Sequence, residues 1–176
     1  RDTSGNLLAH YDKRFLMPFV EYIPLFSKQI LLKTFNPENI DDIFEANSFD
    51  SGDSNQLETD ITTEINLQVA TRLCSEILSP HIYQKAVKDG AEILVNQSSH
   101  SVFHYSKTLA MQSLRTAQIR AVELDRWLVL SGNGVPAYLI DNKGELVQAG
   151  VVGQDGVLIG EVQIRQTQSP YVFLGW

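Results

Sequence analysis

The chain has 176 residues, 43% of them hydrophobic and 20% charged, which suits one globular domain, or a large part of one, with a buried core and a wet surface. Lys and Arg total 14 against 21 Asp and Glu, a formal net charge of −7, which argues against a nucleic-acid surface because phosphate binding needs clustered positive charge. No apolar run approaches the roughly 18 residues of a membrane span, and the first residue is Arg with no signal-peptide pattern after it, so an internal piece of a longer protein is expected.

The turn signal Asp2-Thr3-Ser4-Gly5 precedes a strand at Asn6–Tyr11. A short helix is expected from about Pro24 to Phe35. Asn36 to Thr63 is polar and acidic and reads mostly as loop, with a short strand around Phe44 to Phe49; a loop this long in a compact domain is usually functional or mobile. Ile65 to Leu73 alternates as a strand does. Glu76 to Lys88 reads as a helix closed by Gly90, Ala91 to Asn96 as a buried strand, and Ser106 to Arg126 as a helix with Leu109, Leu114, Ala117, Ala121 and Leu124 at helical spacing. Trp127 to Leu130 is the next strand, followed by a tight turn at Asn133-Gly134. Val135 to Asp141 and Glu145 to Val151 form a hairpin around Asn142-Lys143-Gly144, and Val157 to Ile164 reads as a last strand. Strands alternating with helices and then hairpins predict an α/β fold with a mixed sheet.

Cys74 is the only cysteine, which excludes an internal disulfide. It stands where the strand at Ile65–Leu73 gives way to a helix, a turn that exposes a thiol yet holds it in place. Position and neighbours make it a candidate nucleophile, since a lone cysteine by itself is more often a small buried hydrophobe. His100 and His104 have i, i+4 spacing but no third ligand in view, and they read as loop histidines. No metal or cofactor is expected.

A second unusual segment, Tyr11-Asp12-Lys13-Arg14 followed by Pro18-Phe19-Val20-Glu21-Tyr22-Ile23-Pro24, lies upstream. It resembles the lysine motif of the nitrilase superfamily and, more narrowly, that of the bacterial apolipoprotein N-acyltransferase family. Leu73-Cys74-Ser75-Glu76-Ile77 resembles that family's nucleophile turn. Gly90 to Asn96, Arg120-Ala121-Val122-Glu123 with Arg126, Asn133-Gly134 and Ser169-Pro170-Tyr171 follow in the family's order. Val20 stands where the family has glycine and Ser75 where it has tyrosine, and the loop Gln97 to Phe103 departs from the family's residues.

The resemblance implies part of an αββα sandwich, with residues 1–176 forming the C-terminal portion of a single nitrilase-like domain, and the rest of that domain and any membrane spans lying outside the chain. It implies a Glu-Lys-Cys site in which Cys74 attacks an acyl carbonyl to form a thioester, Lys13 stabilises the oxyanion, and Glu21 and Glu76 lie near the reaction. Those residue types fit the chemistry: a thiolate is a strong nucleophile near neutral pH, and a fixed ammonium steadies developing negative charge. The family's general-base glutamate would precede residue 1. The implied partners are a phospholipid acyl donor and the N-terminal cysteine of an apolipoprotein as acceptor, at the periplasmic side of a bacterial inner membrane. A nitrilase-type amidase acting on a small amide and a degenerate, non-catalytic binding domain are the alternatives.

Overall fold

The computed structural model describes residues 11–18, 21–24, 49–52, 61–62, 67–100, 103, 106–151, 154 and 156–175. These fall into two compact units, the smaller spanning Asp12–Asn55 and the larger comprising Tyr11 and the residues after Asn55.

The larger unit is built on one mixed sheet whose six described strands lie in chain order. β1 (Ile61–Thr62) runs antiparallel to β2 (Gln68–Leu73). β2, β3 (Ile93–Ser99) and β4 (Trp127–Asn133) are parallel. Parallel neighbours require crossovers, and helices supply them: α1 (Pro80–Lys88) joins β2 to β3, and α2 (Lys107–Leu124) joins β3 to β4. β5 (Tyr138–Ile140) and β6 (Leu146–Ala149) complete the sheet as an antiparallel hairpin. A short α3 (Pro170–Leu174) follows, with Ser169 Oγ accepting from Val172 N at its start. The α/β class with a mixed sheet is thus as the sequence predicts.

The register sets the core. Ala70, Leu94, Leu128 and Ile140 stand side by side across four strands, each with no exposed surface. Against this row pack Tyr83, Ala86 and Val87 of α1, Leu114, Ala117, Ala121 and Leu124 of α2, and Val172 of α3. Burying each large apolar side chain contributes roughly 1.5–3 kcal/mol. The spacing of the α2 residues (114, 117, 121, 124) keeps them on one stripe of the helix. Ser106 Oγ caps the first turn at Leu109 N, and Asp125, at φ 52°, closes the helix in the left-handed conformation.

The structure departs from three sequence expectations. The helix expected over Glu76–Lys88 is two helices: a 3-10 helix at Cys74–Leu78, then extended Ser79 (φ −94°, ψ 103°), then α1 beginning at Pro80. Proline disfavours a helical residue before it and suits the first position of a new helix, so Pro80 divides the run. The last strand expected at Val157–Ile164 is not one: the described residues there pair in no ladder, and Val157 and Ile159 are 89% and 84% exposed. Ile61–Thr62, inside the expected loop, pairs instead with the edge of β2. The strand expected at Asn6–Tyr11, the helix at Pro24–Phe35 and the strand at Phe44–Phe49 fall outside the described residues except at Tyr11, Pro24 and Phe49.

The segment before α3 is fastened to the amino ends of the parallel strands. Arg126, 2% exposed, donates from Nε to Ala91 O (2.8 Å) and from Nη1 to Thr167 O (2.6 Å). Glu92 accepts from Gln166 Nε2 (2.7 Å) and Gln68 N (3.1 Å). The family-motif residue Arg126 is therefore a structural fastener at the end of β2 opposite Cys74.

Candidate active site

Cys74 follows β2 directly. It is half-buried and adopts φ 48°, the left-handed region, where a residue with a Cβ sits at a cost of about 1–2 kcal/mol. Such a conformation persists only where its surroundings fix it, and here the fixing groups are visible on both sides. Ahead of the turn, the fully buried carboxylate of Glu76 accepts from Leu73 N through Oε2 (2.8 Å) and from Tyr11 Oη through Oε1 (2.8 Å). The Arg72 guanidinium lies 4.9 Å from the centre of the Tyr11 ring, a cation–π distance. Behind the turn, Asn96 Nδ2 donates to Cys74 O (3.3 Å) and to Tyr83 Oη (2.9 Å). Arg120 Nε of α2 donates to Ile77 O (3.1 Å) within the 3-10 helix and is ion-paired to Glu123.

Cys74 stands at the carboxyl end of β2, the side of a parallel sheet where ligands are commonly bound. At the matching end of β3, the ring of His100 is 4% exposed, and its Nδ1 has no hydrogen-bond partner among the described residues. Burial lowers its pKa from the ordinary histidine value. His104 lies outside the described residues.

In the smaller unit, Lys13 Nζ is paired with Glu21 Oε1 at 2.5 Å, the two side chains 13% and 23% exposed. The other carboxylate oxygen of Glu21 accepts from Met17 N (2.7 Å), and Glu21 N donates to Met17 O (2.9 Å), so the glutamate closes its own turn while holding the lysine. Phe49 N donates to Glu21 O (3.0 Å) and Gly52 N to Lys13 O (2.8 Å). Gly52 passes so close that an added Cβ would meet Asp12 O at 2.6 Å. A cleft of about 540 Å³ is lined by Lys13, Glu21, Leu16, Phe49 and the backbone around Gly52.

Lys13 and Glu21 are thus an ion pair within the smaller unit, and Cys74 and Glu76 lie on one turn of the larger unit, where Glu76 holds Leu73 N and Tyr11 Oη. The carbon-nitrogen hydrolase family pattern matches residues 2–170, nearly the whole chain. The chain belongs to the carbon-nitrogen hydrolase family. Among relatives in this family, an apolipoprotein N-acyltransferase of Pseudomonas aeruginosa is 30% identical over 170 residues, covering 96% of this chain and 31% of that protein. The enzyme of the same name from Vibrio vulnificus is 29% identical over 174 residues, covering 99% and 32%, and that of Synechocystis 28% over 156 residues, covering 87% and 27%. The chain thus spans about a third of the length of these relatives. A Saccharomyces cerevisiae member of branch 10 of the nitrilase superfamily shares the fold, with a TM-score of 0.52 at 15% identity over 64% of this chain and 42% of that one.

This carbon-nitrogen hydrolase chain holds its only cysteine with residues that sequence reasoning did not single out for that purpose. Asn96 and Arg120 reach the Cys74 turn from 22 and 43 residues beyond their partners, and Tyr83 holds Asn96 from 13 residues away. The available signals were Asn96, a polar residue ending the otherwise apolar run Ile93-Leu94-Val95, and Arg120 at the head of the motif Arg120-Ala121-Val122-Glu123.

Proposed function

We propose that the chain is the C-terminal portion of the nitrilase-like domain of an acyltransferase that moves a fatty acyl group from a phospholipid, through a thioester on Cys74, to the N-terminal amine of an apolipoprotein cysteine. The observation that carries this reading is the left-handed Cys74 at the carboxyl end of β2, a strained backbone held by buried side chains. Such strain clusters at reacting residues, and the acyltransferase names of the relatives support the reaction class.

In this mechanism the Cys74 thiolate attacks the ester carbonyl of the phospholipid. The tetrahedral oxyanion is stabilised by the Lys13 ammonium, and collapse expels the lysophospholipid alkoxide, which takes back from the general base the proton that base removed from the Cys74 thiol. The acceptor amine then attacks the thioester, loses its proton to a general base, and releases the Cys74 thiolate as the amide forms. Glu21 keeps Lys13 aimed, as its ion pair and its bond to Met17 N suggest. Glu76 is assigned to the shape of the turn, since both its oxygens hold neighbouring groups. The general base is assigned to a glutamate of the full-length protein outside these 176 residues. That protein is proposed to sit in a bacterial inner membrane with this domain on the periplasmic side; among the described residues no helix is long and apolar enough to cross a membrane.

The test is Cys74→Ser in the full-length protein, assayed by mass spectrometry of the lipoprotein N-terminus. Transfer is expected to fall by at least about 10³-fold with the fold intact. Substantial transfer by the serine variant, or an unacylated Cys74 during turnover, would sink the thioester route.

A further inference from the structure

Asn96 lies in β3 between Arg72 of β2 and Leu130 of β4, and is 1% exposed. A buried amide must find partners for its donors. Here one partner is the Cys74 carbonyl at 3.3 Å and the other the Tyr83 hydroxyl at 2.9 Å. Tyr83 has no exposed surface and belongs to α1, so the peptide of Cys74 is tied through one side chain to both a central strand and a helix. Burial pushes the Tyr83 phenol far above its ordinary range, so it stays a neutral hydroxyl at working pH.

We infer that Asn96 is a positioning residue for the nucleophile: its amide fixes the carbonyl of Cys74, and the Tyr83 hydroxyl fixes the amide. Holding that carbonyl holds ψ at Cys74 and with it the direction of the Cα–Cβ bond that carries the sulfur, leaving only the χ1 rotamer free. An apolar side chain at 96 would fill the same core. Only the amide bonds the residue that carries the sulfur. The inference rests on the reading of Cys74 as the nucleophile, and it is separable from that reading because thiol reactivity is measured without acyl transfer.

The experiment compares Asn96→Leu, Tyr83→Phe and the double variant in the full-length protein, by iodoacetamide labelling of Cys74 at fixed pH and by kcat and KM for acyl transfer. In Asn96→Leu the labelling rate and kcat are expected to fall about tenfold, with KM within about twofold of wild type, as a positioning loss predicts. In Tyr83→Phe both are expected to fall about threefold. The double variant is expected to match Asn96→Leu alone, because Tyr83 acts through Asn96. Wild-type labelling in Asn96→Leu, or full additivity in the double variant, overturns the inference. Should Asn96→Leu fail to fold, Tyr83→Phe decides, and an unchanged labelling rate there is equally fatal. Cys74→Ser separates the two failures. Transfer retained in that variant overturns the reading of Cys74 as the nucleophile, whereas transfer lost there with a wild-type kcat in Asn96→Leu overturns the positioning role alone.

Discussion

Lys13 and Glu21 are partly shielded from water, so their ion pair is screened less than one on the open surface. Under the proposed mechanism, Lys13→Met removes the oxyanion's counter-charge and is expected to lower kcat by about 10²–10³-fold, with KM little changed; steady-state kinetics of the full-length protein check this. His100 supplies a pH test of a different kind. Its folded-state pKa is depressed by burial, so the unfolded chain binds the proton more readily. Stability is therefore complete above the ordinary histidine value of about 6.5 and declines as pH falls from there toward the lower folded value. Melting curves between pH 7.5 and 5 are expected to show that decline in the wild type and a flatter profile in His100→Asn. Cys74, Lys13, Glu21 and Glu76 stood out in the sequence because their types are reactive and their motifs are ordered. Asn96 and Arg120 fell within the ordered motifs too, but their part in bracing Cys74 was not legible, because those contacts depend on strand register and helix docking, which no local pattern encodes.

At the scale of elements, the core helices and the central strands were legible because their apolar periodicity is strong and their ends carry signals, Ser106 before α2 and Gly90 after α1. The left-handed Asp125 that ends α2 instead lies inside the helix expected to run to Arg126. The misread stretches each had a physical cause. Pro80 interrupts a pattern that side-chain spacing alone leaves continuous. Val157 to Ile164 has the composition of a strand, yet a strand is defined by a neighbour, and among the described residues none pairs with it. The fastening of the segment before α3 yields a prediction. The carboxyl of Glu92 is held below the usual glutamate range, first by the Gln166 side chain and then by Gln68 N–H. A depressed carboxylate stabilises the fold above its unfolded value, and that contribution is lost as pH falls through the folded one. Gln166→Leu is expected to cost about 1 kcal/mol at pH 7 and less at pH 3; urea titrations at the two pH values measure the difference. Equal losses at both would detach the Glu92 carboxylate from the effect.

For the molecule as a whole, the proposed mechanism has a direct consequence. The members of a triad act together, and here the general base is assigned outside the chain, so the purified 176-residue polypeptide is expected to be silent in acyl transfer. Steady turnover by it would move the base to Glu21, Glu76 or another residue of this sequence. The strands of the sheet also succeed one another in space as they do along the chain. During synthesis each described strand after β1 therefore meets a described partner that has already left the ribosome. The turn at Cys74 is nevertheless completed late. Asn96 emerges 22 residues after it, and Arg120 comes 43 residues after Ile77. A nascent chain that ends before β3 would carry Cys74 without the amide that holds its carbonyl, and one that ends before α2 would still lack the Arg120 bond to Ile77 O, so the turn is braced in stages after the cysteine itself has left the ribosome.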